Sequence, residues 1–466
     1  MNIEITDLKD YKHIHLIGIG GISMSAIAET LKNWDFKVTG SDLNQSLITD
    51  NLNKHGIPTV IGHDLENPQK ADLIVYSAAI SDNDPEIILA KENNVPLVGR
   101  GEFVGYLTKL YKETICVSGT HGKTTTTSMI SICFINADKD PSIEVGALLN
   151  SIGGNYRVGN SDYFILESRE YKGNFLKFLP RTEIILNIDN DHLDYYKTFD
   201  NIIKTFKDFA MILDENGVLI TNADDKNCYD LRNIVKSKFI SYGIENENAN
   251  YVAKNITFDD NGFGKFDVYK NGEFLTDIEL SVAGKHNILN ALACICTCDF
   301  YEIDSEIIKK SLKEFTGAAR RLEFKGKLEN NISIFDDYAH HPTEIRATAT
   351  AIKNKVYNQS WVVFQPHTFS RTKLLLDDFA DAVSNFDNII ILDIYAAREN
   401  NTYNVSSKDL VEKINALGKK AIYMPDFSDV VTYIKSNTAE NDIIITLGAG
   451  TVTNIGPMLL DSELSI

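Results

Sequence analysis

The stretch ICVSGTHGKTTTTSM, Ile115 to Met129, is an apolar, β-branched run that breaks at a glycine, turns through Gly122-Lys123-Thr124 and resumes as a helix. A strand, a glycine-bearing turn and a helix in that order make a phosphate-binding loop. The glycines let the backbone curl so that its N–H groups face an oligophosphate, and the helix adds the positive end of its dipole. Lys123 is then placed to reach the β- and γ-phosphates, and the Thr124 hydroxyl to ligate Mg²⁺. The spacing is tighter than the usual pattern: Val117 stands where the first glycine would fall, and Gly119 is the earlier glycine.

Upstream, HIHLIGI (His13 to Ile19) reads as a buried strand, Gly18, Gly20 and Gly21 open a helix, and FKVTGSD (Phe36 to Asp42) is the next strand. That is a Rossmann-like start with Ser23 at the third glycine position and Asp42 where an acid takes a ribose hydroxyl. ADLIVYSAAI (Ala71 to Ile80) is a further strand ending in small residues.

Downstream, YFILES (Tyr163 to Ser168) and EIILNID (Glu183 to Asp189) are short apolar runs ending in polar residues, as parallel central strands do where ligands gather. As neighbouring strands they would bring Glu167 and Glu170 together with Asp189, Asp191, His192 and Asp194 beside the γ-phosphate. Thr124, Glu170 and His192 make a sparse Mg²⁺ shell; a capping or core role for His192 stays open. From about Asn248 to Leu280 the pattern alternates around DDNGFG and KNGEF, which predicts β-hairpins, and GKHNILNALACICTC reads as a helix. After TGAARRLE, four more strands (NISIFDDY, WVVFQP, NIIILDIY and DIIITLGAG) alternate with helices.

The chain of 466 residues carries 46 basic and 65 acidic side chains, a net charge of −19. Its length implies about three domains. The charge argues against nucleic acid and anionic membrane partners, so an anionic substrate needs a local cationic cluster, drawn from Lys123, Arg320, Arg321, Arg371 and Arg398. No apolar run approaches the ~20 residues of a membrane span, and the start has no signal-peptide core; a cytoplasmic protein without membrane insertion is expected. Six cysteines with no CxxC pair read as packed thiols rather than disulfides or zinc ligands.

GTHGKTTT, NIDNDHLDYY, GKHNILNA, RRLE, DDYAHHPTE and FQPHTFSRT, in this order over essentially the whole chain, resemble the Mur ligase family of three-domain ATP-dependent amide-bond ligases. The resemblance implies an α/β protein with a Rossmann-like domain for the UDP-sugar (1–110), a central P-loop ATPase-like parallel sheet (111–316) and a C-terminal Rossmann-like domain for the amino acid (317–466). GIGGISMSAIAE with the last two motifs looks like the branch that adds L-alanine to UDP-N-acetylmuramate, using ATP and Mg²⁺.

On that resemblance, Gly18, Gly20, Gly21 and Ser23 lie near the UDP phosphates and Asp42 near the uridine. ATP meets Gly119, Thr120, His121, Gly122, Lys123, Thr124 and Thr125. His286, Asn287 and Asn290 meet the adenine, and Arg321 and Asp337 reach ATP from the third domain. His340, His341 and Arg371 hold or face the amino acid, Arg371 by a bidentate grip on its carboxylate. Lys123, Glu170, His192, His341 and Arg371 are the catalytic set.

Asn287 and Asn290 also read as helix-surface amides, and His340-His341 before Pro342 as a helix cap. Two departures stand out: Thr368 where many relatives carry arginine, and Arg169 among the acids of ESREYKGNF. Lys207, in a helical stretch, reads as an exposed lysine rather than a carbamylated metal bridge. The alternatives are a ligase that recycles a tripeptide onto the same sugar, a non-catalytic nucleotide-dependent module, and a nicotinamide oxidoreductase. The expected assembly is a monomer or a weak homodimer.

Overall fold

The computed structural model describes residues 5 and 7–461 except Arg398. Arg398 and the side chain of Asp194 therefore lie outside the described residues. Three sheets follow one another along the chain. The first is built from His13–Ile17 (β1), Lys37–Asp42 (β2), Thr59–Ile61 (β3), Leu73–Tyr76 (β4) and Leu97–Gly99 (β5), all parallel in the order β3-β2-β1-β4-β5. The chain reverses direction across the sheet between β1 and β4, which opens a crevice at their carboxyl ends.

The central sheet has ten strands: Glu113–Ser118 (β6), Ser142–Leu149 (β7), Gly154–Arg157 (β8), Tyr163–Glu167 (β9), Thr182–Ile185 (β10), Val218–Asn222 (β11), Lys238–Gly243 (β12), Tyr251–Phe258 (β13), Phe263–Lys270 (β14) and Glu273–Ala283 (β15). Their order is β15-β14-β13-β12-β11-β10-β6-β9-β7-β8. The expected hairpins are β13-β14-β15, an antiparallel extension. Asn271-Gly272 turns one of them with φ of 50° and 87°, the left-handed pair that a two-residue hairpin loop requires. The sheet order differs from the one the sequence suggests. β9 and β10 are not neighbours but pair with opposite edges of β6, so the two acidic segments flank the phosphate loop from either side.

The third sheet comprises Glu323–Lys327 (β16), Ser333–Asp337 (β17), Ser360–Phe364 (β18), Asn388–Ile391 (β19), Ala421–Tyr423 (β20) and Ile443–Leu447 (β21) in the order β16-β17-β21-β18-β19-β20, parallel except for β16.

Burial explains how the three units are joined. One apolar cluster runs from Leu16 and Leu73 through Phe103 and Val104 to Phe175, Phe206 and Phe209 beneath the central sheet. The first two units therefore share a core. The third has its own two clusters and meets the central unit through polar contacts, described below, which is the pattern of a domain that can move.

One side chain in the shared core breaks the polarity rule. Glu183 on β10 is fully buried, and neither carboxylate oxygen has a hydrogen-bond partner. Burial pushes its carboxyl well above the ordinary value of 4.5. A raised folded value means that stability is fullest below the unfolded value and falls as pH rises toward the folded one, by up to about 1.4 kcal/mol per pH unit. Glu183→Leu is expected to stabilise the chain by about 1–3 kcal/mol, with a larger gain at pH 8 than at pH 5. Chemical denaturation at the two pH values checks this, and an equal or opposite change would refute it.

Candidate active site

The loop after β6 sits where the central sheet's order splits toward β10 and β9, the position at which open α/β sheets bind ligands. Gly119 and Gly122 have φ of 128° and 85°. A Cβ on Gly122 would lie 2.5 Å from Asn290 Oδ1, so the close approach needs glycine as much as the backbone angle does. The helix Lys123–Asn136 then runs away from the loop.

Lys123 folds back over the loop. Its Nζ donates to Thr120 O at 2.9 Å and pairs with Glu170 Oε2 at 3.1 Å. Thr124 Oγ1 donates to Glu167 Oε2 at 2.8 Å, and Gly146 N donates to the same oxygen at 2.8 Å. His192 Nε2 stands 3.4 Å from Glu170 Oε1. The expected magnesium set of Thr124, Glu170 and His192 is therefore divided into two pairs, Thr124 with Glu167 and Glu170 with His192.

The electrostatics follow from this packing. Burial works to raise the Glu170 carboxyl, but Lys123 and His192 outweigh it and pull it down to about 2. Burial likewise works against the Glu167 carboxylate, and Arg169 and Lys123 hold it below the usual range. Arg169, the unexpected cation of ESREY, lies 3.5 Å from Glu167 Oε1. For His192, burial is outweighed by Asp191 and Glu170, and the imidazole is shifted toward its charged form.

A cavity of about 400 Å³ opens beside the loop, walled by His121, Thr125, His286, Asn290, Arg321 and Asp337 among others. The helix Lys285–Phe300 begins at Gly284 and carries both asparagines inward. Asn287 donates to Ala283 O at 2.8 Å and Asn290 to Asn287 Oδ1 at 2.9 Å; they are buried, not surface amides. His286, beside them on the same helix, is exposed at the mouth of the cavity. Asp337, buried and accepting from Thr348 Oγ1 at 2.5 Å, is raised to about 6 by its burial. Arg321 reaches within 3.5 Å of Thr124 Oγ1 from the third domain.

The third domain docks onto three consecutive residues of the central one. Thr343 Oγ1 donates to Asp189 Oδ2 at 2.6 Å, His341 Nε2 lies 3.1 Å from Asn190 O, and Arg371 Nη2 pairs with Asp191 Oδ1 at 2.9 Å. His341 is also the N-cap of the helix Pro342–Lys353, as its position before proline allows.

A second cavity of about 400 Å³ lies at this junction, walled by Asp191, His192, His367, Thr368, Arg371 and Glu399 among others. Arg371 lines it, whereas His340 and His341 do not. His340 Nδ1 is 2.9 Å from Tyr338 O, and its ring lies 5.6 Å from that of His367, one layer behind the cavity wall. Thr368 holds φ of 65° and ψ of 144°, a strained backbone for a β-branched residue and a feature that clusters at functional sites.

In the first domain, Gly18 follows β1, and a Cβ there would lie 3.1 Å from Ser77 Cβ beyond β4. Gly20 N donates to Asp42 Oδ2 at 3.0 Å, so Asp42 braces the glycine turn. Gly21 precedes the helix Ile22–Asn33 without a side-chain cap. Ser23 leans across the domain boundary, donating to Glu144 and accepting from Arg100 Nη1 at 3.1 Å.

Sequence reasoning did not single out Glu344, Glu399, Glu144 or Arg100. Glu344 carried one local signal, a carboxylate three residues into a helix capped by His341. Glu344 Oε2 accepts locally from His340 N at 3.0 Å, and its other oxygen makes a distant contact: His121 Nδ1 lies 3.4 Å from Glu344 Oε1, while His121 Nε2 lies 2.9 Å from Asp189 Oδ2. Burial opposes the imidazolium, but Asp189 and Glu344 outweigh it and raise His121 to about 9. A raised folded value makes this contribution complete below pH 6.5 and lost as pH climbs through 9. The wild-type chain is therefore expected to lose on the order of 2–3 kcal/mol over that window, and His121→Asn to remove that loss. Thermal unfolding at pH 6.5 and 9.5 measures it; identical pH dependence in both chains would exclude the bracket.

A phosphate loop at a sheet's switch point, closed by a third domain that brings a second cavity, defines the class: the chain belongs to the Mur ligase family. The family models match in order, with the Mur ligase family catalytic domain over residues 13–112, the Mur ligase middle domain over 117–298 and the Mur ligase glutamate ligase domain over 320–450. The chain is 49% identical over 456 residues to a UDP-N-acetylmuramate–L-alanine ligase of Clostridium acetobutylicum, covering 97% of this chain and 99% of that one. It is 47% identical over 461 residues to the ligase of the same name from Acetivibrio thermocellus, covering 99% and 98%. The solved UDP-N-acetylmuramate-alanine ligase of Thermotoga maritima is similar at 30% identity with a TM-score of 0.82, covering 98% of this chain and 99% of that one.

Proposed function

We infer that the protein is an ATP-dependent ligase that joins L-alanine to the lactoyl carboxylate of UDP-N-acetylmuramate, giving UDP-N-acetylmuramoyl-L-alanine, ADP and phosphate for peptidoglycan synthesis. The carrying observation is the pairing of a phosphate loop, Lys123 and Thr124 set against Glu170 and Glu167, with a separate small cavity lined by Arg371. Full-length similarity to ligases of that name supports the choice of substrates.

In this reading a lactoyl carboxylate oxygen attacks the γ-phosphorus, the bond to ADP breaks, and an acyl phosphate forms. The amine of alanine then attacks the acyl carbon, loses a proton, and expels phosphate. Such transfer depends on positioning and on neutralising charge. Lys123 supplies a cation at the γ-phosphate. Asn287 and Asn290 present amide groups to the base, and Arg321 and Asp337 close on the nucleotide from the third domain. Gly18, Gly20, Gly21 and Ser23 would face the UDP phosphates and Asp42 the uridine. Arg371 takes the alanine carboxylate, with His340 and His341 behind it.

The donor set fits magnesium. Thr124 and Glu167 offer oxygens 2.8 Å apart, and Glu170 with His192 offers a second pair once the imidazole releases its proton. Bound there, the ion would offset phosphate charge.

We place the domain boundaries at 110/111 and 316/317, and we take the protein to be cytoplasmic and a monomer or weak homodimer. No described helix is long and apolar enough to cross a membrane. The test is phosphate release with ATP, magnesium and UDP-N-acetylmuramate while the twenty amino acids, and the cell-wall tripeptide, are added singly. L-Alanine should give ADP and phosphate in equal amounts. Release without any acceptor, or with the tripeptide alone, would overturn the assignment.

A further inference from the structure

Three of the six cysteines converge at one point that the ligase reaction does not use. Cys133, near the end of the phosphate-loop helix, meets Cys294 and Cys298, one turn apart on the helix Lys285–Phe300. Cys133 Sγ is 3.7 Å from Cys294 Sγ, and Cys294 Sγ is 3.8 Å from Cys298 Sγ. All three sulfurs lie within 4.8 Å of one another, and all three residues are fully buried as free thiols. A centre bonded to three sulfurs at roughly the 2.3 Å of a zinc–thiolate bond spaces them by at most about 4 Å. The triangle is thus close to the size of a single three-coordinate site.

Charge decides what such a site accepts. The thiols lie in an apolar cluster with Phe134, Ile308 and Leu312, and no lysine or arginine is fully buried among the described residues. A divalent ion on three thiolates would leave one uncompensated negative charge in that core, which is costly. It would also lack the fourth ligand that structural zinc takes. A trivalent centre leaves none. We propose that Cys133, Cys294 and Cys298 form a binding site for a trivalent metalloid, arsenic or antimony, presented as its neutral hydroxide.

The exchange balances without an oxidant or reductant. Three As–O bonds of arsenous acid break and three As–S bonds form, and each thiol proton leaves with a hydroxide as water, so a neutral reactant gives a neutral product. Soft thiolate ligands match a soft acceptor. Entry requires an opening, since the helix Ser305–Glu314 covers the cluster. That helix presents Ile308, Ser311 and Leu312 inward and is tied to β15 at its surface by Lys309–Asp277 at 2.6 Å and Lys313–Glu279 at 3.0 Å. Binding should be slow and limited by local opening of this helix. The occupied site would staple the helix that starts at Lys123 to the one that carries Asn287 and Asn290.

The full chain incubated with excess sodium arsenite and analysed by native mass spectrometry should retain one arsenic with the loss of three protons. Arsenic X-ray absorption should show three sulfur neighbours. Cys133→Ala should abolish retention. Cys296→Ala, which removes an equally buried thiol from the same helix but outside the triangle, should leave it intact. No retained arsenic in the wild-type chain, fewer than three sulfur neighbours, or equal loss in both variants would overturn the site. Tighter retention of zinc than of arsenite would overturn the charge argument that selects its occupant.

Discussion

Replacing Lys123 with alanine should lower acceptor-dependent phosphate release by about a thousandfold, the scale of losing a cation aimed at a transferring phosphoryl group. The size of the effect follows from where the ammonium is held. It is largely buried, anchored by loop carbonyls and by Glu170, whose carboxyl it helps to keep near 2. Alanine removes the cation and also leaves Glu170 with His192 as its main positive neighbour, so the metal pair is disturbed along with the phosphate contact. The loss should fall on kcat, with the KM for L-alanine changed less than about threefold, because the amino acid cavity does not include Lys123. Lys123→Arg keeps a charge but not the compact ammonium, and should recover only part of the rate. Wild-type turnover in Lys123→Ala would end the assignment of this loop to the γ-phosphate.

The phosphate loop was legible because everything it needs is local: a strand, two glycines at positive φ, a lysine and a helix within fifteen residues of one another. The hairpins at β13-β14-β15 were legible for the same reason, through Asn-Gly turns. The order of strands was not. The apolar runs of β9 and β10 announce buried parallel strands but carry no mark of which neighbour each will pair with, and β6 lies between them. Contacts made only by domain docking were equally silent. His121 sits 223 residues before Glu344 and Arg371 180 residues after Asp191, and no periodicity connects positions that far apart. The buried thiols read correctly as packed, but their convergence depends on the facing of two helices separated by more than half the central domain.

Replacing Arg371 with alanine should raise the KM for L-alanine about a hundredfold while leaving the KM for ATP within about threefold. The guanidinium holds Asp191 through Nε at 3.1 Å and Nη2 at 2.9 Å, and Nη1 lies 3.2 Å from His367 Nδ1. An amino acid brings a carboxylate that can take the place of Asp191 on the guanidinium, and an ammonium that can take the place of Arg371 on Asp191. One ion pair is thereby exchanged for two without leaving a buried charge alone. Two charge-assisted hydrogen bonds at about 1.5 kcal/mol each correspond to roughly a hundredfold in binding. A merely structural role for Arg371, bracing the Asp189-Asn190-Asp191 strip, would act on nucleotide and amino acid alike. Thr343→Val separates the two cases: it breaks the neighbouring docking bond to Asp189 Oδ2 but keeps both Arg371 and Asp191, so it should cost far less in alanine affinity than Arg371→Ala. Equal penalties in the two variants, or equal rises in both Michaelis constants for Arg371→Ala, would assign this arginine to domain docking and not to the substrate.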